Sequence, residues 1–138
     1  MPNKKPQPRY STAMLIDDNE IDNFINQKMI EGCNFAEQIY IHTSSRSALE
    51  FLDNFARVEN IPDKILPEII FLDINMPIMD GFQFVEEFRK RPAHIKEKIR
   101  IVMLTTSIDP TDQKQCDEDE LIEKFISKPL TEEHLGEI

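Results

Sequence analysis

Two stretches of this chain, Ile69-Ile70-Phe71-Leu72 and Ile101-Val102-Met103-Leu104, are apolar at every position. A strand with one wet face alternates apolar and polar residues, so unbroken runs of this length belong to strands covered on both faces. Helices must then lie above and below the sheet, and the segments between the runs supply them. STAMLI ends abruptly at Asp17 and Asp18 and reads as a buried strand. From Glu20, the apolar residues Ile21, Phe24, Ile25 and Met29 recur at helical spacing, with Gly32 placed to close the helix. QIYIHT predicts a second strand, and SSRSALEFLDNFARV a second helix with Ala48, Leu52, Phe55 and Ala56 on one face behind serine caps.

The unit repeats. EIIFLD is the third strand, and GFQFVEEFRK a helix packing through Phe84, Val85 and Phe88. KIRIVMLT is the fourth strand, DPTDQKQCDEDE a weak helix, EKFISK the fifth strand and TEEHLGEI the closing segment. Right-handed crossovers place helices on both faces of such a sheet. The expectation is an α/β, doubly wound five-stranded parallel sheet in the flavodoxin-like order 2-1-3-4-5. The basic, proline-rich start MPNKKPQPRY reads as a flexible tail over residues 1–10, followed by a single domain over residues 11–138.

Composition narrows the partners. A formal charge of −10 disfavours nucleic acid and anionic membranes, which would repel the surface, and suits a cation or a basic patch. Cys33 and Cys116 lie far apart without C-x-x-C spacing, so neither a disulfide framework nor a zinc site is suggested. Without a signal peptide's apolar run or a membrane-crossing segment, the expected location is cytoplasmic.

In a sheet of this class, ligands bind beyond the carboxyl ends of the strands, where the strand order reverses. Those ends carry Asp17 and Asp18, Asp73, Thr105, and Lys128 followed by Pro129. With the first and third strands adjacent, three carboxylates converge and require a counter-charge. Lys128 supplies one charge, and an oxygen-rich site of this kind suits Mg²⁺, with Mn²⁺ as a substitute. A carboxylate nucleophile, a lysine, a hydroxyl and a divalent ion together equip a site for phosphoryl transfer, with Asp73 as acceptor. Each residue also has a plain structural reading. Asp17, Asp18 and Asn19 suit a helix cap, Asp73 a turn, Thr105-Thr106-Ser107 a capping run, and Lys128 a solvated surface. His42, His94 and His134 form no ligand spacing, and Met76 and Met79 read as packing or loop residues.

Taken together, LIDDNE, FLDINMPIMDG, VMLTTS and FISKPL resemble the receiver domain of bacterial two-component response regulators over about Thr12 to Leu130. The likeness is to the chemotaxis-regulator-like, single-domain kind. It implies that Asp18 and Asp73 bind Mg²⁺ through side chains, that Asn75 adds its backbone carbonyl, and that Asp17 acts indirectly. It also implies a cis Lys128-Pro129 bond, a switch formed by Thr105 and Phe125, and phosphorylation of Asp73 by a sensor histidine kinase or histidine phosphotransfer protein. The expected function is a stand-alone phosphoacceptor that switches contacts with a downstream protein. It would not be an enzyme beyond self-phosphorylation from small donors and slow autodephosphorylation. Two alternatives are a degenerate receiver scaffold and a haloacid-dehalogenase-type phosphatase. The latter wants a second Asp where this chain has Asn75, and a flavodoxin-like nucleotide binder lacks its glycine-rich loop with three glycines in all. The stretch Ile108 to Glu120, with few apolar residues and the acidic run DEDE, and the closing segment, with Leu135 and Ile138 as its buried candidates, depart from the family pattern.

Overall fold

A computed structural model describes residues 7–62 and 64–138. The elements follow in the order β1 (Tyr10–Ile16), α1 (Glu20–Gly32), β2 (Ala36–His42), α2 (Ser45–Asp53), β3 (Ile69–Asp73), α3 (Gly81–Arg89), α4 (Ala93–Lys96), β4 (Arg100–Thr105), α5 (Pro110–Asp117), β5 (Ile122–Ser127) and α6 (Glu132–Gly136). All strand pairs are parallel, in the order β2-β1-β3-β4-β5. The sheet is the one its apolar runs predict, because every second residue of β1, β3 and β4 finds a different helical layer. Met14, Ile16, Ile70, Leu72, Ile101 and Met103 pack with Leu49, Leu52, Phe84, Val85 and Phe88 of α2 and α3. Ala13, Leu15, Ile69, Phe71, Val102 and Leu104 pack with Ile30 of α1 and Leu135 of α6. Each large side chain so buried contributes about 1.5 to 3 kcal/mol.

Several boundaries differ from the sequence expectation. The tail expected over residues 1–10 lies outside the described residues through residue 6. Beyond it, Tyr10 already belongs to β1, and Arg9 donates to the Leu135 carbonyl at 3.2 Å. α2 stops at Asp53, so Phe55 and Ala56 fall in the following turns. α4 was not anticipated, since four residues give no periodicity to read. The weak helix is present as α5, capped by Asp109 with Pro110 at its start, and it buries Cys116 alone. Leu135 and Ile138 are both buried.

The largest correction concerns α1. The helix exists, yet of its four recurring apolar residues only Met29 packs against the core: Ile21, Phe24 and Ile25 are 69%, 58% and 42% exposed, while Asn23 and Asn26 are buried beside Ile30. The loops beneath α1 explain the inversion, because they present backbone groups that need polar partners. Asn23 Nδ2 donates to the Asp17 carbonyl at 2.8 Å, and Asn26 Oδ1 accepts from Leu130 N–H at 2.9 Å. Left unpaired, each buried group would cost about 1 to 3 kcal/mol. Gly32 does not end the helix in a left-handed turn; Asn34 takes that conformation at φ 51°.

Candidate functional site

The plain capping roles fall to other residues, which frees the predicted set. Asn19 caps α1, accepting from Ile21 and Asp22 N–H. Asp80 caps α3 in a reciprocal pair with Gln83, and Asp109 caps α5. Asp17, Asp18 and Thr105 are therefore not spent on helix ends.

Asp17, Asp18 and Asp73 each offer an oxygen, and the three lie within 4.8 Å of one another. Asp73 closes β3 and is 3% exposed; Asp17 follows β1 at 2%; Asp18 is exposed. Lys128 reaches into this group, its Nζ 2.8 Å from Asp17 Oδ2, 2.8 Å from Asp22 Oδ2 and 3.3 Å from Asp73 Oδ1. Asp17 Oδ1 accepts from Asn19 N–H at 2.9 Å, so both of its oxygens are engaged. Burial lifts the Asp73 carboxyl to about 6, and the Asp17 charge adds to the rise. Lys128 and the Asn75 N–H hold it back. Burial pulls the Lys128 ammonium down, but hydrogen bonds to Asp17 and Asp22 and the charges of Asp73 and Asp17 outweigh it. Its pKa therefore stands above a lysine's ordinary value.

The remaining predicted residues surround this cluster. Thr105 ends β4 beside Ser127 of β5, fully buried, with its hydroxyl donating to the Ser107 carbonyl at 2.8 Å rather than to a carboxylate. Asn75 lies two residues beyond Asp73 on an exposed loop. Phe125 is half-buried on β5 opposite Met103, against the α2 and α3 layer. The Lys128-Pro129 peptide is cis.

Two contributors escaped the sequence reading. Asp22 looks like an ordinary first-turn acid favoured by the helix dipole, and only the fold brings it to Lys128. Gly81 stands in the sequence only as the first residue of the third helix. It opens α3 so close to the acceptor strand that a Cβ there would stand 2.7 Å from the Asp73 carbonyl oxygen and 2.9 Å from Ile74 Cα.

The donor set fits a small, hard divalent cation. All three groups are carboxylates with one exposed, and the engaged oxygens of Asp17 leave Asp18 and Asp73 as the more available side chains.

The comparisons agree with this geometry. A family model described as the response regulator receiver domain matches residues 13–138. Hybrid signal transduction histidine kinase C of Dictyostelium discoideum is 33% identical over 128 residues, 89% of this chain and 9% of that protein. Response regulator Rcp1 of Synechocystis is 28% identical over 99 residues, 72% of this chain and 64% of that protein. The chain thus spans 9%, 7% and 9% of the Dictyostelium hybrid kinases C, L and K. The crystal structure of a two-component response regulator from Cytophaga hutchinsonii superposes with a TM-score of 0.83 at 30% identity, covering 95% of this chain and 94% of that one.

Proposed function

The chain belongs to the response regulator receiver domain family, and from that premise we propose that Asp73 takes a phosphoryl group from a histidine-phosphorylated kinase or phosphotransfer protein and so switches contacts with a downstream protein. The observation that carries the reading is the convergence of Lys128 with Asp17 and Asp73 at the strand ends, with Asp18 beside them. An Asp73 oxygen attacks phosphorus, the phosphorus–nitrogen bond of the donor breaks, and the imidazole leaves with the electron pair. Lys128 neutralises an oxygen of the moving group, and Thr105 gives up Ser107 to donate to another. Mg²⁺, or Mn²⁺ in its place, would be held by Asp18, Asp73 and the Asn75 carbonyl, with Asp17 acting through water, and supplies charge neutralisation when bound. Inward movement of Thr105 draws Phe125 with it and alters the neighbouring surface, which the added phosphoryl charge drives.

The exposed apolar face of α1 serves as the donor's landing surface. Ile21, Phe24 and Ile25 are exposed on the helix whose first turn contacts Lys128, so an apolar partner surface seated there brings its histidine to the site. Replacing Ile21 and Phe24 with serine is expected to slow transfer from a phosphorylated partner about tenfold. Reaction with acetyl phosphate stays unchanged, and thermal stability holds within about 0.5 kcal/mol. Equal losses with both donors would exclude a docking role. Among the described residues no helix is long and apolar enough to cross a membrane, and the exchange is set in the cytoplasm.

The test of the function is direct. Incubation with Mg²⁺ and acetyl phosphate is expected to add one phosphoryl group by intact mass, with none on Asp73→Asn and none in the presence of EDTA. An unmodified parent chain, where a known receiver reacts, would point to a scaffold. Sustained release of inorganic phosphate from a phosphoester would point to a phosphatase.

A further inference from the structure

An ammonium has three N–H bonds, and Lys128 faces three carboxylates unequally. The 2.8 Å contacts go to Asp17 and Asp22, and the longer one, 3.3 Å, to Asp73. The lysine is therefore fully engaged before phosphorus arrives, and it leans away from the acceptor. We propose that Asp22 is a positioning residue that holds Lys128 off Asp73 and releases it to the incoming phosphoryl group. This rests on the phosphoacceptor reading of Asp73.

Burial decides which contact yields. The Asp17 side chain is 3% exposed, so losing the ammonium would leave a charge that water cannot reach. The Asp22 side chain is 30% exposed and is rehydrated when the ammonium departs. A phosphoryl group on Asp73, carrying roughly two negative charges, outcompetes the single charge of Asp22. The carboxylate of Asp22 thus opposes phosphorylation by an amount set by its contact with Lys128. If Asp22 merely favoured the N-terminus of α1, its removal would alter stability and leave phosphoryl chemistry alone.

The experiment compares the parent chain, Asp22→Asn and Asp22→Glu at Mg²⁺ levels saturating for each. The readouts are the rate of modification by acetyl phosphate and the affinity for beryllofluoride, a non-covalent phosphoryl mimic. Asp22→Asn is expected to raise both about 3- to 10-fold, the range one partly exposed charge-assisted hydrogen bond supports. Asp22→Glu returns both towards the parent values. In a Lys128→Gln background the Asp22→Asn gain vanishes, which a structural effect on α1 would not produce. A parent chain that reacts while Asp22→Asn reacts no faster overturns the inference alone, as does a gain that persists without Lys128. A parent chain that neither reacts nor binds the mimic overturns the phosphoacceptor reading, and this inference with it.

Discussion

Asp73→Asn is expected to be more stable than the parent chain at pH 7, by about 2 to 3 kcal/mol, while losing all capacity to take up phosphorus. The Asp73 carboxyl stands at about 6 against an ordinary 3.8, so the folded chain holds that proton more tightly than the unfolded one. Stability from the protonated form is fully present below pH 3.8 and lost as the pH rises through about 6. Two units at roughly 1.4 kcal/mol each give the expected gap. Asparagine keeps the shape and cannot ionise, so the variant avoids that loss. Urea denaturation without divalent ions should show the gap at pH 7 and its closure as the pH falls from 6 towards 4. Added Mg²⁺ should stabilise the parent and leave the variant nearly unchanged. A variant no more stable at pH 7, or a gap indifferent to pH, would contradict the burial of a charged Asp73.

Gly81→Ala acts on the same strand end from the other side. At the first position of a helix this substitution would ordinarily stabilise, since glycine costs roughly 0.5 to 1 kcal/mol relative to alanine in a helix. Here the new methyl meets the backbone of Asp73 and Ile74 at 2.7 and 2.9 Å, and backbone atoms cannot turn aside as a side chain would. Forced separation of α3 from β3 costs about 3 kcal/mol, which exceeds the helix gain. The shift also moves Asp73 relative to Lys128 and Asp18. Phosphorylation by acetyl phosphate should fall at least about tenfold, because small displacements at a reacting centre are costly. A variant with the parent's denaturation midpoint would show that α3 can move away freely.

Much of this was legible because strands buried on both faces carry an unmistakable composition, and because their order sends each carboxyl end to one edge. Asp17, Asp18, Asp73 and Lys128 meet there as their positions in the sequence require. What escaped depends on contacts between segments distant in the chain. Asp22 and Lys128 are 106 residues apart, and nothing local marks the helix acid as a partner. The orientation of α1 was hidden for the same reason. Periodicity identifies a helix but not what it packs against, and two asparagines joined Ile30 on its inner face because the loops below offered a carbonyl and an N–H. α4 is too short for periodicity, and the value of Gly81 lies in a strand seen only after folding.

The inward asparagines of α1 have a mechanical consequence. Apolar contact has no preferred direction, whereas a hydrogen bond depends on both distance and angle. Clipped by Asn23 to the Asp17 carbonyl and by Asn26 to the amide of Leu130, α1 is coupled to the two loops like a lever bolted at two points. The Lys128-Pro129 segment and the loop after β1 are thereby joined through one helix, whose outer side carries Ile21, Phe24 and Ile25.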